Sequence, residues 1–205
     1  MDDPGQIMIW GISTSRIELM DMLKAWLAIS VAFAIVLSSS IFSADVYKKF
    51  IIASLTVGIG FLLHELGHKV VAQKYGCFAE FRSFDNMLFL SIAMSFLGFV
   101  FAAPGAVMIS GRVSKARNGM ISAAGPTVNL ALAVVFFGMA FIQIPNLFKQ
   151  VAYYGFVINS WLALFNMIPV WLFDGYKVFK WNKLAYAAIV LVAVLLMLAK
   201  RYMPL

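Results

Sequence analysis

Residues 61 to 71 read FLLHELGHKVV, which sets both histidines of the chain and a glutamate inside a run that otherwise resembles the middle of a membrane-spanning helix. Ionisable side chains are expensive at the centre of a bilayer, where Asp, Lys or Arg costs about 2.5 to 3.5 kcal/mol on insertion scales. Polar groups that are kept in such a place are therefore expected to serve a function.

The spacing of these three residues indicates a metal site. His64 and His68 are four residues apart, so on a helix they share one face and can bind one metal ion. Glu65 lies beside the first histidine and can act as a base on water at that metal. H-E-x-x-H on a helix is the arrangement of zinc metalloproteases. The open alternative is a hydrogen-bonded polar patch between helices, which gains nothing from this spacing.

The composition places the chain in a membrane. Of its 205 residues, 63% are apolar and 12% are charged, whereas ordinary soluble domains carry about 25% charge. The net charge of +7 comes from basic residues scattered at the ends of apolar runs, which indicates membrane topology and no nucleic-acid partner. The single cysteine, Cys77, excludes an internal disulfide.

Six apolar runs are each close to the roughly 20 residues that cross a ~30 Å hydrocarbon core. They cover residues 25–43, 51–72, 87–109, 121–143, 151–173 and 184–199. The sequence therefore predicts an all-α integral membrane protein with about six helical segments. No stretch is polar enough for a separate soluble domain, so we expect one domain over residues 1–205 with its core at about 51–175.

Two stretches are predicted to be extended. The sequence CFAEFRSF at 77–84 follows a helix stop at Tyr75-Gly76 and favours a short β-hairpin at the membrane surface. The third apolar run breaks at Pro104-Gly105 and continues as AVMISGRV, whose β-branched residues favour a strand.

A third metal ligand has to be a carboxylate or Cys77, because the chain has no third histidine and catalytic zinc usually has three protein ligands. Asp174 lies in NMIPVWLFDGYKV, whose asparagine and proline can unwind a helix and whose Asp-Gly pair can turn a carboxylate inward. We therefore predict Asp174 as the third ligand of one Zn²⁺ ion, with Glu80 as the next candidate.

A further element is AAGPTVNLA at 123–131, where Gly125-Pro126 is expected to open or kink the fourth run and Asn129 lies about one turn inside. The side chain of Asn129 either makes a helix-packing hydrogen bond or faces the metal site, and we favour the second interpretation.

HELGH, GPTVN and NMIPVWLFDG together resemble the site-2 protease family of intramembrane zinc metalloproteases, in the family's order and over residues 64 to 175. The resemblance implies a catalytic base at Glu65, a catalytic polar residue at Asn129, and zinc ligands at His64, His68 and Asp174. It also implies hydrolysis of a peptide bond within transmembrane segments of membrane-protein substrates.

The chain departs from the family pattern at Phe173, where Leu is more common, and at Trp171, where a second proline is common. Neither departure removes a chemical group. Many relatives carry a PDZ or nucleotide-sensing domain that has no room here, so the resemblance implies a minimal, core-only member. Its expected partners are single-spanning substrate proteins and the lipid bilayer.

The depth of the predicted zinc ligands in the membrane predicts a re-entrant segment. The histidines lie late in run 51–72 and Asp174 ends run 151–173, so both must approach the same side of the membrane. Run 87–109 must then enter as a helix and return as an extended segment. With this return, eleven of the sixteen Lys and Arg residues lie on the active-site side, which predicts a site toward the cytoplasmic face.

Two other functions remain open. A zinc transporter or metal sensor would bind zinc at the same residues without hydrolysis, but it predicts several metal stations along a path. A different membrane metalloprotease, acting on soluble or lipidated peptides, would use a third-ligand glutamate or histidine on a following helix.

Overall fold

The structure, a computed structural model, describes residues 6–38, 45–100 and 104–204. It is 72% helical, in agreement with the predicted α class. The helices are α1 (Arg16–Leu37), α2 (Val46–Ala53), α3 (Ile59–Lys74), α4 (Asp85–Ser95), α5 (Lys115–Met139), α6 (Asn146–Asn166), α7 (Asp174–Trp181) and α8 (Lys183–Ala199). The strands are β1 (Gln6–Ile9), β2 (Ile12–Ser15), β3 (Phe78–Ser83) and β4 (Gly105–Ser110).

The predicted count of six helical segments is wrong. A π-helical turn at Ser54–Gly58 joins α2 and α3, so the described ranges contain seven separate helices. Four of them are long and apolar enough to cross a membrane: α1, the joined α2–α3, α5, and α8 with its extension to Tyr202. Run 87–109 divides, as predicted, into a helix, α4, and an extended segment, β4, so it does not form one spanning helix.

Local capping explains where several helices begin. The side chain of Ser15 precedes α1 and accepts the backbone N–H of Glu18, which is the S-x-x-E pattern of a capping box. Ser114 caps α5 in the same way, and Asn182 accepts two backbone N–H groups at the start of α8. Helix α5 therefore begins at Lys115, before the predicted start at residue 121.

The strands β3 and β4 pair antiparallel, with Phe78 opposite Ser110 and Ser83 opposite Gly105. The two predicted extended segments are thereby confirmed, but the predicted local hairpin at 77–84 is wrong. The partner of β3 comes from beyond α4, because the chain turns back before Pro104. Helix α4 has 11 residues and spans about 16 Å, which is half of a ~30 Å core.

A second sheet, the hairpin β1–β2, was not predicted. Its turn is formed by Trp10 and Gly11, which both have positive φ, at 51° and 79°, as a type I′ turn requires. The side-chain amide of Gln73, near the end of α3, accepts the Ser13 N–H and donates to the Ser13 carbonyl. The hairpin is therefore attached to the helix that carries the two histidines.

Helices α5 and α6 form an antiparallel pair around an apolar core. The six residues 140–145 connect them, and Phe136 packs against Gly155, where a β-carbon would lie 2.5 Å from the ring. Phe156 is fully buried in the same cluster. This close packing brings the middle of α6 beside the middle of α5, where Asn129 lies.

Candidate metal centre

The three predicted ligands converge. His64 and His68 project from one face of α3 with their Nε2 atoms 3.0 Å apart. The Oδ2 atom of Asp174 lies 3.0 Å from Nε2 of His68 and 3.4 Å from Nε2 of His64. Both imidazoles are buried, at 5% and 8% exposure, and together the three residues form a group that can hold one metal ion.

The spacing of these donor atoms fits zinc. Zinc binds His nitrogen and carboxylate oxygen at about 2.0 to 2.2 Å in tetrahedral geometry, which sets neighbouring donor atoms roughly 3.3 Å apart. The observed separations of 3.0 to 3.4 Å match that value. Two histidines and one carboxylate also leave a fourth position for water, as catalytic zinc sites do.

Asp174 reaches the histidines because α7 begins there. Phe173 is extended, with φ −106° and ψ 160°, and the next residue starts the helix, where the sequence predicted a turn. A β-carbon at Gly175 would lie 2.2 Å from the carbonyl oxygen of Met167. Only glycine therefore lets the start of α7 dock this closely against the end of α6 and aim the carboxylate inward.

Helix α5 closes the site from another side at Gly125. A β-carbon there would lie 2.4 Å from Nε2 of His68 and 2.6 Å from Nε2 of His64. The following residue, Pro126, lies inside α5, so of the two predicted effects, an opening or a kink, the opening of the helix at this point is wrong. Glycine is needed here because the metal-binding atoms occupy the place of a side chain.

Hydrogen bonds to the far ring nitrogens orient both imidazoles. Nδ1 of His64 lies 2.5 Å from Oδ1 of Asn129, and Nδ1 of His68 lies 2.7 Å from the carbonyl oxygen of Ile121. Both partners are acceptors, so each Nδ1 carries the proton and each Nε2 lone pair is free for a metal. Asn129 thus touches the site through His64.

The chain of hydrogen bonds continues into α6. Asn129 is fully buried, and its Nδ2 donates to the Gly60 carbonyl at 3.2 Å and to Oδ1 of Asn159 at 2.9 Å. Asn159, also fully buried, donates to the Gly155 carbonyl at 2.8 Å. Sequence reasoning missed Asn159, although a lone amide inside an apolar run is a signal in its own right.

Glu65 faces the strand β4. Its Oε2 atom accepts the backbone N–H of Val107 at 3.1 Å. Together with His64 and Asn129, Glu65 lines a cavity of about 580 Å³ whose other walls are largely apolar and include Phe61 and Trp161. The predicted base therefore lies beside a predicted metal ligand and at the edge of a cavity large enough for a peptide segment.

The other candidate ligands lie elsewhere. Glu80 pairs with Arg82 at 2.6 Å and accepts a hydrogen bond from Ser15. Cys77 is buried in an apolar cluster with Ala72 and Ile121. Neither residue belongs to the group of metal-binding atoms, which contains Asp174 as its only carboxylate.

Comparison with known proteins gives one informative relative. The chain is 42% identical over 178 residues to a curated protein of Methanocaldococcus jannaschii named "putative zinc metalloprotease", and the alignment covers 85% of this chain and 90% of that protein. No family model matches the chain, and no solved structure matches it. The two chains correspond over nearly their whole length.

Proposed function

The chain belongs to the zinc metalloprotease family of that M. jannaschii protein, and from this premise we propose that it is an intramembrane protease of the site-2 type. It hydrolyses a peptide bond within transmembrane segments of membrane-protein substrates. The observation that carries the proposal is the position of His64, Glu65 and His68 inside a helix, Val46–Lys74, that is long and apolar enough to cross a membrane.

Zinc held by His64, His68 and Asp174 supplies a Lewis acid that activates water and polarises the peptide carbonyl. The remaining chemistry belongs to the side chains. Glu65 takes the proton from the attacking water and passes it to the leaving amine. Asn129 and the Ile121 carbonyl hold the imidazoles in one tautomer and orientation, because both accept from Nδ1.

The cavity supports the proposed form of the substrate. Its apolar walls come mainly from α6, with further residues from α1, the joined α2–α3 helix and the segment just before Asp174, which suits a segment arriving from lipid. The carbonyls of a helix are bonded within that helix, so the scissile segment has to unwind before water can attack it. Substrates are therefore single-spanning membrane proteins with a helix-weakening residue in the span, and the bilayer is the enzyme's working environment.

The proposed topology is a multi-pass protein of the cell membrane with its site toward the cytoplasm. The antiparallel pair α5–α6 returns the chain to the side of the site, so α6 crosses with the four apolar helices. Strands β3 and β4 lie side by side, so the segments before Phe78 and after Ser110 emerge together. On this path most of the Lys and Arg residues lie on the side of the site, which favours the cytoplasmic face.

Reconstitution with a single-span substrate tests this function. The chain is purified in detergent, loaded with zinc and incubated with a transmembrane peptide that has a glycine pair at its centre. Mass spectrometry of the products should locate one cleavage inside the membrane span, and a chelator should abolish it. Zinc binding without cleavage of any peptide would support the transporter or sensor, and cleavage of soluble peptides alone would contradict the intramembrane assignment.

A further inference from the structure

One pair of facing residues in the sheet β3–β4 is hydrogen-bonded to a carboxylate on each outer edge of the sheet. Phe81 stands opposite Val107, and the N–H groups of both residues point away from the partner strand, as in a pair without mutual backbone bonds. The N–H of Phe81 donates to Oε1 of Glu18 at 2.9 Å. The N–H of Val107 donates to Oε2 of Glu65 at 3.1 Å. The sheet is therefore held between the proposed base, Glu65, and the buried carboxylate of Glu18.

Glu18 is fully buried and uses both of its oxygens. Its Oε2 atom accepts the hydroxyl of Thr14 at 2.6 Å and the ammonium group of Lys69 at 2.5 Å. Lys69 is only 3% exposed and directly follows His68 on α3. The carboxylate thus connects the hairpin β1–β2, the strand β3 and the helix that carries the metal ligands.

These contacts form a closed ring. From Glu65 on α3 the ring passes to Val107 on β4, across the sheet to Phe81, to Glu18 on α1, and back to α3 through Lys69. Packing reinforces it, because the Phe81 ring is 1% exposed and stacks edge-on against Phe61 of α3, with 5.9 Å between centroids. The position of β4 relative to Glu65 depends on both the packing of Phe61 against Phe81 and this closed set of contacts.

We propose that Glu18 is a positioning residue for catalysis, which sets the orientation of Glu65 through the sheet. The inference rests on the proposed function, since it assumes that Glu65 is the base. A stabilising role alone does not account for the buried ion pair of Glu18 and Lys69. Burying two charges costs about as much free energy as their attraction returns, and replacing such a pair by apolar residues often leaves stability unchanged or raises it. The contact to the Phe81 N–H is what an apolar pair would lose.

Two double variants separate a positioning role of Glu18 from a purely stabilising role. In Glu18→Leu/Lys69→Met both charges are removed and apolar side chains replace the buried pair, but the Phe81 N–H loses its acceptor. In Glu18→Gln/Lys69→Met the amide oxygen still accepts that N–H, and the amide nitrogen can donate to the Thr14 hydroxyl. Lys49→Met is the matched control, since Lys49 pairs with Asp45 at 3.7 Å on α2.

For the leucine variant we expect full zinc occupancy and a kcat reduced about 10- to 100-fold, the usual cost of losing a supporting contact around a metal site. The glutamine variant should stay within about threefold of the wild-type kcat, and KM should change little in either. Lys49→Met should match the wild type. A leucine variant that binds zinc and retains wild-type kcat would overturn the proposal.

Hydrogen exchange gives a readout that needs no activity. Without the contact between Glu18 and the Phe81 N–H, the backbone amides of residues 105–110 should exchange about tenfold faster in the leucine variant than in the glutamine variant. Equal exchange in the two would overturn the proposal. If the wild type cleaves no transmembrane substrate, the proposed function fails, while the exchange comparison still decides whether Glu18 positions the sheet.

A second variant covers the case in which the leucine variant does not fold. Val107→Pro leaves the buried pair intact and removes the outward N–H that Glu65 accepts, a position where an edge strand tolerates proline. Val107→Ala is its control, because the valine side chain packs against two apolar clusters and is lost in both variants. The proline variant should show the same 10- to 100-fold loss of kcat with zinc retained. Wild-type kcat in the proline variant would contradict the coupling between sheet and base.

Discussion

Substitution of Gly125 by alanine tests the geometry of the metal centre through one methyl group. The new β-carbon would lie 2.4 Å from Nε2 of His68 and 2.6 Å from Nε2 of His64, whereas ordinary contacts begin at 3.4 Å. Relief of the clash therefore requires a movement of about 1 Å. Metal–ligand distances tolerate only about 0.2 Å, so at least one imidazole has to leave the metal.

We expect Gly125→Ala to raise the dissociation constant for zinc about 100-fold or more, which corresponds to about 2.7 kcal/mol. The helix itself should not suffer, since alanine is favoured over glycine in a helix by up to about 1 kcal/mol. Gly138→Ala is the matched control on the same helix, because a β-carbon at Gly138 has nothing within 4 Å.

The measurement is a competition titration of zinc against a chromophoric chelator, in detergent, for both variants and the wild type. Thermal unfolding of the zinc-free proteins reports whether each variant is folded. If folded Gly125→Ala binds zinc as tightly as Gly138→Ala, helix α5 does not lie against the imidazoles, and the described centre is wrong.

Three further predictions follow from the site and the proposed topology. Asp174→Ala should lower zinc occupancy and proteolysis together, as measured by metal analysis and peptide cleavage, and unchanged values would move the third ligand elsewhere. Asn129→Leu should weaken zinc binding about 10- to 100-fold, because His64 loses the acceptor for its Nδ1 proton; wild-type affinity would leave Asn129 without this role. For the topology, single cysteines are placed at Ser83, Ser114 or Ile144 in a variant without the native cysteine and are labelled with a membrane-impermeant thiol reagent. Those at Ser83 and Ser114 should react from the cytoplasmic side and the one at Ile144 from the other side. Labelling of Ser83 and Ser114 from opposite sides would exclude the re-entrant path.

The metal-binding group could be predicted from the sequence because its chemistry is encoded in spacing and scarcity. His64 and His68 are the chain's two histidines, and their separation of four residues places them together on any helix. Asp174 was distinguished by its position at the end of an apolar run. That prediction needed only residue type and approximate depth, not atomic packing.

The supporting residues could not be predicted in the same way. Asn159 and Lys69 are single polar residues without a motif, and Glu18 is marked only as the last residue of a capping-box pattern. The importance of all three lies in partners 30, 51 and 63 residues away along the chain. The strand at 78–83 was recognisable from its own composition, and the predicted return of run 87–109 brought an extended segment back beside it. What could not be predicted is that β3 has no local hairpin partner, and which residues of β3 and β4 stand opposite one another, because a non-local register leaves no signal in either strand.

The N-terminal hairpin was missed for a different reason. Its turn places Trp10, a bulky residue, at φ 51°, a conformation usually occupied by Gly or Asn. Sequence rules therefore predict no turn there. For run 87–109, Pro104-Gly105 marked the change from helix to strand correctly, whereas hydropathy alone did not show that α4 ends at Ser95.

The most direct test of the central claim compares the wild type with Glu65→Gln in one cleavage assay, with zinc content measured on the same samples. Glutamine keeps the shape of the side chain and leaves all three metal ligands in place, but it cannot take a proton from water. We predict one equivalent of bound zinc in both proteins and cleavage of a transmembrane substrate by the wild type alone. Cleavage by Glu65→Gln at the wild-type rate would contradict the assignment of Glu65 as the base and the mechanism built on it.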